Sequence, residues 1–384
     1  MEAGTLVWLG AGWWSFCSVF QWVSAALGRR PPRRISSGSR ADFNPVDFSI
    51  VAPMVGAGDA SPFYVESLRT LGQAGAEVLI CVPRDDDAAV PAVREVWPDA
   101  PILVGSDTTF NPKMNNVRKG LEAARRQVVA LCDAGVILDA ALLRKAAAPL
   151  ADGVGLVLAL KAGEAPGNFA AELERAYING HQARFLFTAD RLGLAVASGG
   201  VTLMSNETLQ RIGNWQGFNR WIADDYSVTR SVRELGLATC LGDVMPRLPL
   251  GRRDWRVVWR RQVRWARTRL RLPVWPLVLW EPAIGCAAAG AAGAAALSMA
   301  GAGPGLVSLA LLAHIAAWLG AEKWFMSGRG LAFGPRAAGA ALLREALAPV
   351  LMARALSSRT IEWRGTDLGG QWRSRTNGVP EKPV

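Results

Sequence analysis

The sequence predicts an α/β domain built on a mostly parallel sheet with helices on both faces, set between apolar segments at the two ends of the chain. Three observations predict it. From residue 47 to residue 137, β-branched and apolar runs alternate with helical patterns over short connections, the order that yields a parallel sheet. The acidic clusters are read as falling at the carboxyl ends of strands, and in such sheets ligands sit outside those ends. Hydrophobic residues make up 51% of the 384 although 20% are charged, and the excess collects at the two ends.

The first apolar segment, residues 5–27 (TLVWLGAGWWSFCSVFQWVSAAL), carries no charge and exceeds the roughly 20 residues that cross a bilayer core. It has neither a basic leader nor a small-residue cleavage site, so it is expected to be an anchor rather than a cleaved signal. GRRPPRR follows at once, and the positive-inside rule puts that end in the cytoplasm.

The domain then opens with the strand-like DFSIVAP and a helix from Ser61-Pro62 to Gly75. AEVLICVP reads as a strand, AAVPAVREVWPDA as a helix and PILVG as a strand. NNVRKGLEAAR is helical, and VVALCDAGVI is the next strand. No G-x-G-x-x-G or P-loop is present, which argues against a dinucleotide-binding dehydrogenase.

Residues 273–324 form a second apolar block with SMAGAGPGLVS as a turn, a helical hairpin whose small residues allow close packing. A third stretch, 337–356, holds Arg344 and Glu345 at its centre. Charges at mid-bilayer are costly, so an interfacial or re-entrant helix is expected there, leaving the basic tail (Arg359, Arg364, Arg373, Arg375, Lys382) inside. The chain should therefore divide into a transmembrane anchor at 1–28, a cytoplasmic domain at 29–271 and a C-terminal membrane region at 272–384.

The net charge of +11 suits a domain against an anionic leaflet. A nucleic-acid partner is not expected, because the basic clusters flank membrane segments and lack interleaved aromatic platforms. Five unpaired cysteines point to reduced thiols, and two histidines are too few for a His-based metal centre.

Four constellations carry chemistry. Asp85, Asp86 and Asp87 follow a buried strand, as a helix cap or as acceptors for a nucleotide base or ribose. Lys113, with Asn115 and Asn116 at a helix start, makes either an ordinary capped helix or a phosphate cradle. Asp133 ends a strand too apolar to be exposed, so its charge must meet a cation or donor. One carboxylate cannot close a protein metal site, but Mg²⁺ and Mn²⁺ are held by one or two carboxylates plus substrate phosphates. Asp224 and Asp225 open a helix: one is expected to cap it, the other to act as a base on an incoming hydroxyl. Downstream, Arg261, Arg264 and Trp265 share a helical spacing, at home in a membrane interface or as a guanidinium clamp on a diphosphate.

In this order the motifs resemble the inverting family 2-like glycosyltransferases, above all the ceramide glucosyltransferases. Asp87, with Asp86 next, matches their first aspartate, Asp133 in CDAGV the second and Asp225 in ADDY the third. Arg261 to Trp265 (RQVRW) matches their box, NPKMNN their Asn-Pro-Lys turn, NGHQARF their segment around His181, and TIEWRG their C-terminal Trp-Arg motif. The lone aspartate of CDAGV is expected of that branch. Arg84 stands where other members carry an acidic residue.

The resemblance implies a GT-A-like domain that takes a sugar from a UDP-sugar to the hydroxyl of a membrane lipid, ceramide or alternatively a hopanoid, at a bacterial inner membrane. It implies Asp86 or Asp87 at the uridine, with Lys113 and Asn115 nearby, and Mg²⁺ or Mn²⁺ on Asp133. Asp225 becomes the base, with Asp224 beside it. Arg261, Arg264 and Trp265 hold the diphosphate, and His181 joins the substrate site. A processive polysaccharide synthase and a non-catalytic nucleotide-sugar binder are the rival readings. The first needs more membrane helices than this chain offers, and the intact Asp225 and RQVRW box argue against the second.

Overall fold

The structure is a computed structural model that describes residues 3–33, 42–105, 109, 111–150, 153–196, 198–363 and 366–368. Arg34, the end of the TIEWRG motif (Arg364 and Gly365) and the tail residues Arg373, Arg375 and Lys382 lie outside them. The chain forms two compact units. One, at 31–164, 189–249 and 362–384, is the α/β unit; the other, at 1–30, 165–188 and 250–361, is helical. This division differs from boundaries at 28 and 271, because two internal stretches join the helical unit.

The four expected strands are present, β1 Phe48–Pro53, β2 Glu77–Val82, β3 Ile102–Val104 and β4 Val128–Cys132, and the structure adds β5 Val154–Leu160, β6 Ala162–Pro166, β7 Gly200–Ser205, β8 Ala238–Leu241 and β9 Arg247–Gly251. Seven of them form one sheet in the order β3-β2-β1-β4-β7-β5-β8, and β6 pairs with β9 separately. Strands β1 to β4 run parallel, as do β5 and β8, while β7 is antiparallel to both its neighbours. The sheet is mostly parallel, as the sequence predicts. Strands β1, β4 and β5 are buried at every position, which accounts for their continuous apolar runs in place of an alternating pattern.

Three features position chemistry. Helix Pro112–Ala123 packs on β1, β2 and β3; its proline stands in the first turn, and Asn111 caps it by accepting from the Lys113 N–H at 3.0 Å. Helix Asp224–Glu234 packs on β5 and β8. Between β4 and β7 the sheet changes from parallel to antiparallel, so the carboxyl end of β4 meets the start of β7: Asp133 N–H donates to the Gly200 carbonyl at 2.9 Å. The five cysteines are buried and free.

In the helical unit, helix Ala3–Arg29 packs against Cys286–Met299 and Pro304–Gly328. Small residues set the approach: a Cβ on Gly10 would stand 3.0 Å from the Ala292 carbonyl, and one on Gly293 would enter the Trp14 indole. Two polar positions of the first helix turn inward, where Gln21 and Ser24 accept from the buried Arg184 guanidinium.

The hairpin expected over 273–324 appears as a helix–turn–helix, but its first arm has 14 residues, about 21 Å at 1.5 Å per residue, against a core of about 30 Å. Among the described residues, Pro304–Gly328 is the one helix long and apolar enough to cross a membrane. Helix Ala3–Arg29 has the length, but its Trp, Ser and Gln positions dilute its hydropathy.

Helix Pro335–Leu356 carries Arg344 and Glu345 buried rather than facing outward. Arg344 bonds both carboxylate oxygens of Glu322 (2.9 and 2.8 Å), one of Glu345 (2.8 Å) and the Ala176 carbonyl (2.8 Å). These charges are mutually paired inside the unit, which removes them as a ground for placing this helix outside the bilayer.

Candidate active site

In the α/β unit the polar residues converge where β4 meets β7. Lys113, from the first turn of its helix, sets its ammonium 2.5 Å from Asp224 and 3.4 Å from Asp133. The second oxygen of Asp133 meets Lys161 at 3.1 Å and accepts from the Gly200 N–H at 3.1 Å. The neighbouring Gly199 N–H donates to Asp225 at 3.0 Å. Two successive backbone donors therefore orient two of the three aspartates. Both glycines have left-handed φ angles, 35° and 135°. A Cβ on Gly199 would fall 2.7 Å from the Lys161 ammonium and 3.0 Å from the Asp133 carboxylate, so only glycine fits there.

Electrostatics then separates the carboxylates. Burial works to raise the Asp133 carboxyl, but Lys113, Lys161 and the Gly200 N–H together reverse it and hold the group well below the usual carboxylate range. For Lys113, burial favours the neutral amine, and the charges of Asp224, Asp133 and Asp225 outweigh it, so its proton is held tightly. Asp225 goes the other way: burial first, then Asp224 and Asp133, push it up to about 6 against the pull of Lys113 and the Gly199 N–H. Pairs of carboxylates driven apart in this way mark acid–base assignments.

Several sequence expectations meet the structure here. Asp133, Lys113, Asp224 and Asp225 are brought together. Asp224 does not cap its helix: Ala223 occupies the N-cap without a side-chain bond, and Asp224 is spent on Lys113. Asp87 serves at the edge formed by the ends of β1 and β2, one oxygen accepting from Gly56 N–H (2.7 Å) and Ala89 N–H (2.8 Å). Asp86 pairs with Arg84 at 2.8 Å on the surface, with both side chains about 70% exposed (69% and 73%), a contact of small energetic worth. Asn115 uses both ends of its amide on Thr109, accepting from its N–H (2.7 Å) and donating to its carbonyl (3.0 Å).

The remaining candidates belong to the helical unit. Arg261, Arg264 and Trp265 lie on one face of helix Trp255–Arg269. Arg261 ion-pairs with Glu174, a fully buried carboxylate that Arg253 also reaches at 3.3 Å. His181 sits in the wide-turned segment Ala176–Gln182, edge-on to Phe185, with Glu281 at 4.0 Å. Burial, then Arg344, Arg269 and Arg184, keep its imidazole neutral.

Sequence reasoning missed Lys161, Gly199 and Gly200. The signals were present: a lysine closing the apolar run LVLAL, and a Gly-Gly pair directly before the strand VTLMS.

Among the described residues no three His, Cys, Asp or Glu side chains are placed to hold an ion together. The donor set therefore does not fit a resident metal. Asp133, held ionised between Lys161 at 3.1 Å and Lys113 at 3.4 Å, is the carboxylate there that could contribute to an ion otherwise held by a ligand.

The model of glycosyl transferase family 21 matches residues 17–375. The chain belongs to that family. It is similar to ceramide glucosyltransferase 3 of Caenorhabditis elegans, 25% identical over 84% of this chain and 72% of the relative. It is also similar to ceramide glucosyltransferase 1 of the same organism, 24% identical over 49% of this chain and 42% of that one. Among solved structures, a mannosyltransferase from Pyrobaculum calidifontis in complex with GDP-mannose and Mn²⁺ aligns over 90% of this chain and 97% of its own, at 17% identity and TM-score 0.45. Glucosyl-3-phosphoglycerate synthase from Mycobacterium tuberculosis, with Mn²⁺, UDP-glucose and phosphoglyceric acid, aligns over 67% and 80%, at 17% identity and TM-score 0.29. This family 21 chain is a glycosyltransferase, and ceramide glucosyltransferase-like.

Proposed function

We propose that this family 21 enzyme moves a hexose, glucose in the first instance, from a UDP-sugar to a primary hydroxyl of ceramide, inverting the anomeric carbon in one step. One observation carries the reading: Asp225 is partly buried, oriented by the Gly199 N–H and raised to about 6, the condition of a general base working near neutral pH. In the proposed step Asp225 takes the hydroxyl proton as the oxygen attacks the anomeric carbon. The bond from that carbon to the diphosphate breaks, and UDP departs with the electron pair.

Lys113 and Lys161 bring positive charge to the diphosphate, and Lys113 keeps Asp224 from raising Asp225 further. Asp133 would hold Mg²⁺ or Mn²⁺, which on binding adds charge neutralisation at the leaving group. Asp87, with Asp86 beside it, would contact uridine or ribose, and Asn115 shapes the loop at Thr109. Arg261, Arg264 and Trp265 would clamp the diphosphate, with Glu174 orienting Arg261, and His181 would act on the acceptor side.

We further propose a GT-A-like catalytic unit on the cytoplasmic face of a bacterial inner membrane. Helices Ala3–Arg29 and Pro304–Gly328 would be its spans, and the basic run beginning at Arg29 fits the positive-inside rule.

The test is transfer from radiolabelled UDP-glucose and UDP-N-acetylglucosamine to ceramide and to a hopanoid alcohol, with the product anomer determined. A β-glucosyl ceramide is expected; label only in a hopanoid or a polymer, or only free sugar, overturns the reading.

A metal prediction follows from the ionised Asp133 between its two lysines. Protein without nucleotide should bind Mn²⁺ weakly by electron paramagnetic resonance, and UDP should tighten binding at least tenfold. Asp133→Asn should abolish that coupling. Tight nucleotide-free binding would contradict the assignment.

A further inference from the structure

The helical unit holds a second polar constellation, of which the transfer reading above uses only His181. Segment Ala176–Gln182 is π-helical, a wide turn that recurs at functional sites, and it presents Tyr177 and His181 on one face. The segment is fastened from behind. Arg344 donates to the Ala176 carbonyl at 2.8 Å, and a Cβ on Gly180 would collide with Glu322.

Tyr177 is 8% exposed, and its ring packs with Leu173, Val258, Val263 and Leu351. Its hydroxyl has no hydrogen-bond partner. Burial first, with Glu345 and Glu281 adding to it against the opposing pull of Arg344 and Arg269, pushes the phenol up to about 12, so it stays a neutral donor and acceptor. Arg269 bonds Glu281 at 2.8 Å through its terminal nitrogen, while its Nε–H is buried and also without a partner. Glu281 lies 4.0 Å from His181 and is 25% exposed, so this carboxylate is reachable. An orphaned buried polar atom is costly, and native structures keep few. Two, beside a reachable carboxylate and a neutral imidazole, are donors and acceptors waiting for a ligand.

We propose that Tyr177, Arg269, Glu281 and His181 seat the polar head of an acceptor lipid that carries an amide together with hydroxyls. The Arg269 Nε–H and the Tyr177 hydroxyl donate to the amide carbonyl, and Glu281 accepts from the amide N–H or a hydroxyl. A lipid bearing a single hydroxyl uses only part of this set. The inference rests on the proposed transfer to a lipid, and it adds the residues that read the acceptor.

The test uses the full-length protein in detergent and a short-chain fluorescent ceramide, measured first by direct binding without donor and then as acceptor. Tyr177→Phe removes only an oxygen that has no partner, so the melting temperature should hold. Its ceramide affinity should fall about 3- to 10-fold, the worth of one hydrogen bond. Arg269→Lys, which keeps the charge beside Glu281 but loses the Nε–H, should behave alike. In both, the KM for ceramide should rise and that for UDP-glucose stay put, and a sterol-type alcohol should show a smaller change. Unchanged ceramide affinity in both variants, absent binding by the wild type, or an equal rise in donor KM overturns the seat. If binding falls as expected but the wild type transfers nothing to ceramide, the seat stands and the proposed reaction fails.

Discussion

Asp225→Asn should lower turnover by about 10²–10⁴-fold, the usual contribution of a general base, while UDP affinity changes little. A group that acts only as the hydroxyl proton leaves lowers kcat and kcat/KM together. The amide of asparagine still accepts from the Gly199 N–H, so the loop before β7 keeps its anchor. Asp224→Asn should cost less in turnover, because Asp224 is paired with Lys113 and is not the proposed base. Equal, modest losses in both variants would assign the wrong carboxylate.

The same residue sets a pH dependence. Burial and two neighbouring carboxylates raise Asp225 to about 6, so it is mostly protonated below that pH and, as the proposed base, ready to accept a proton above it. The rate should therefore climb as pH rises through about 6. Removing Asp224, the larger of the two neighbouring charges, lowers the Asp225 carboxyl and should move that limb to lower pH. A limb that stays in place in Asp224→Asn would show that another group governs it.

Much of the α/β unit was legible because its order is local. Each strand is a short apolar run, and helices Pro62–Gln73 and Pro112–Ala123 open on a proline behind a polar residue, so periodicity and punctuation place β1 to β4 and the helices between them. Asp133, Lys113 and Asp225 were legible for a related reason: a charge at the end of a buried strand or in the first turn of a helix needs a partner. The partner itself was not. Lys161 lies 28 residues beyond Asp133, and only the antiparallel insertion of β7 between β4 and β5 brings the two together. Asp224 looked like a helix cap because the rule for caps is local, and it lost to an ammonium delivered from another helix. In the C-terminal region the charges of Arg344 and Glu345 read as obstacles to burial, since sequence shows the cost of a buried charge but not the distant Glu322 that offsets it.

Arg344→Met should destabilise the helical unit by about 3–5 kcal/mol, the cost of breaking a buried pair from one side. Arg344 and Glu322 are only 2% and 1% exposed, and removing the guanidinium strands Glu322 and Glu345 and takes a donor from the Ala176 carbonyl. The charge left behind does the damage rather than the lost volume, because methionine fills similar space. Arg344→Met with Glu322→Gln should therefore regain part of the loss, giving a clear coupling in a double-mutant cycle. Glu345 also accepts from the Cys286 N–H at 2.8 Å, at the start of helix Cys286–Met299, so Glu345→Gln alone should be milder. Denaturant unfolding of the detergent-solubilised protein, followed by tryptophan fluorescence, reads each step. A loss below about 1 kcal/mol in Arg344→Met would mean that water or lipid headgroups already solvate this cluster, and helix Pro335–Leu356 would return to the membrane interface.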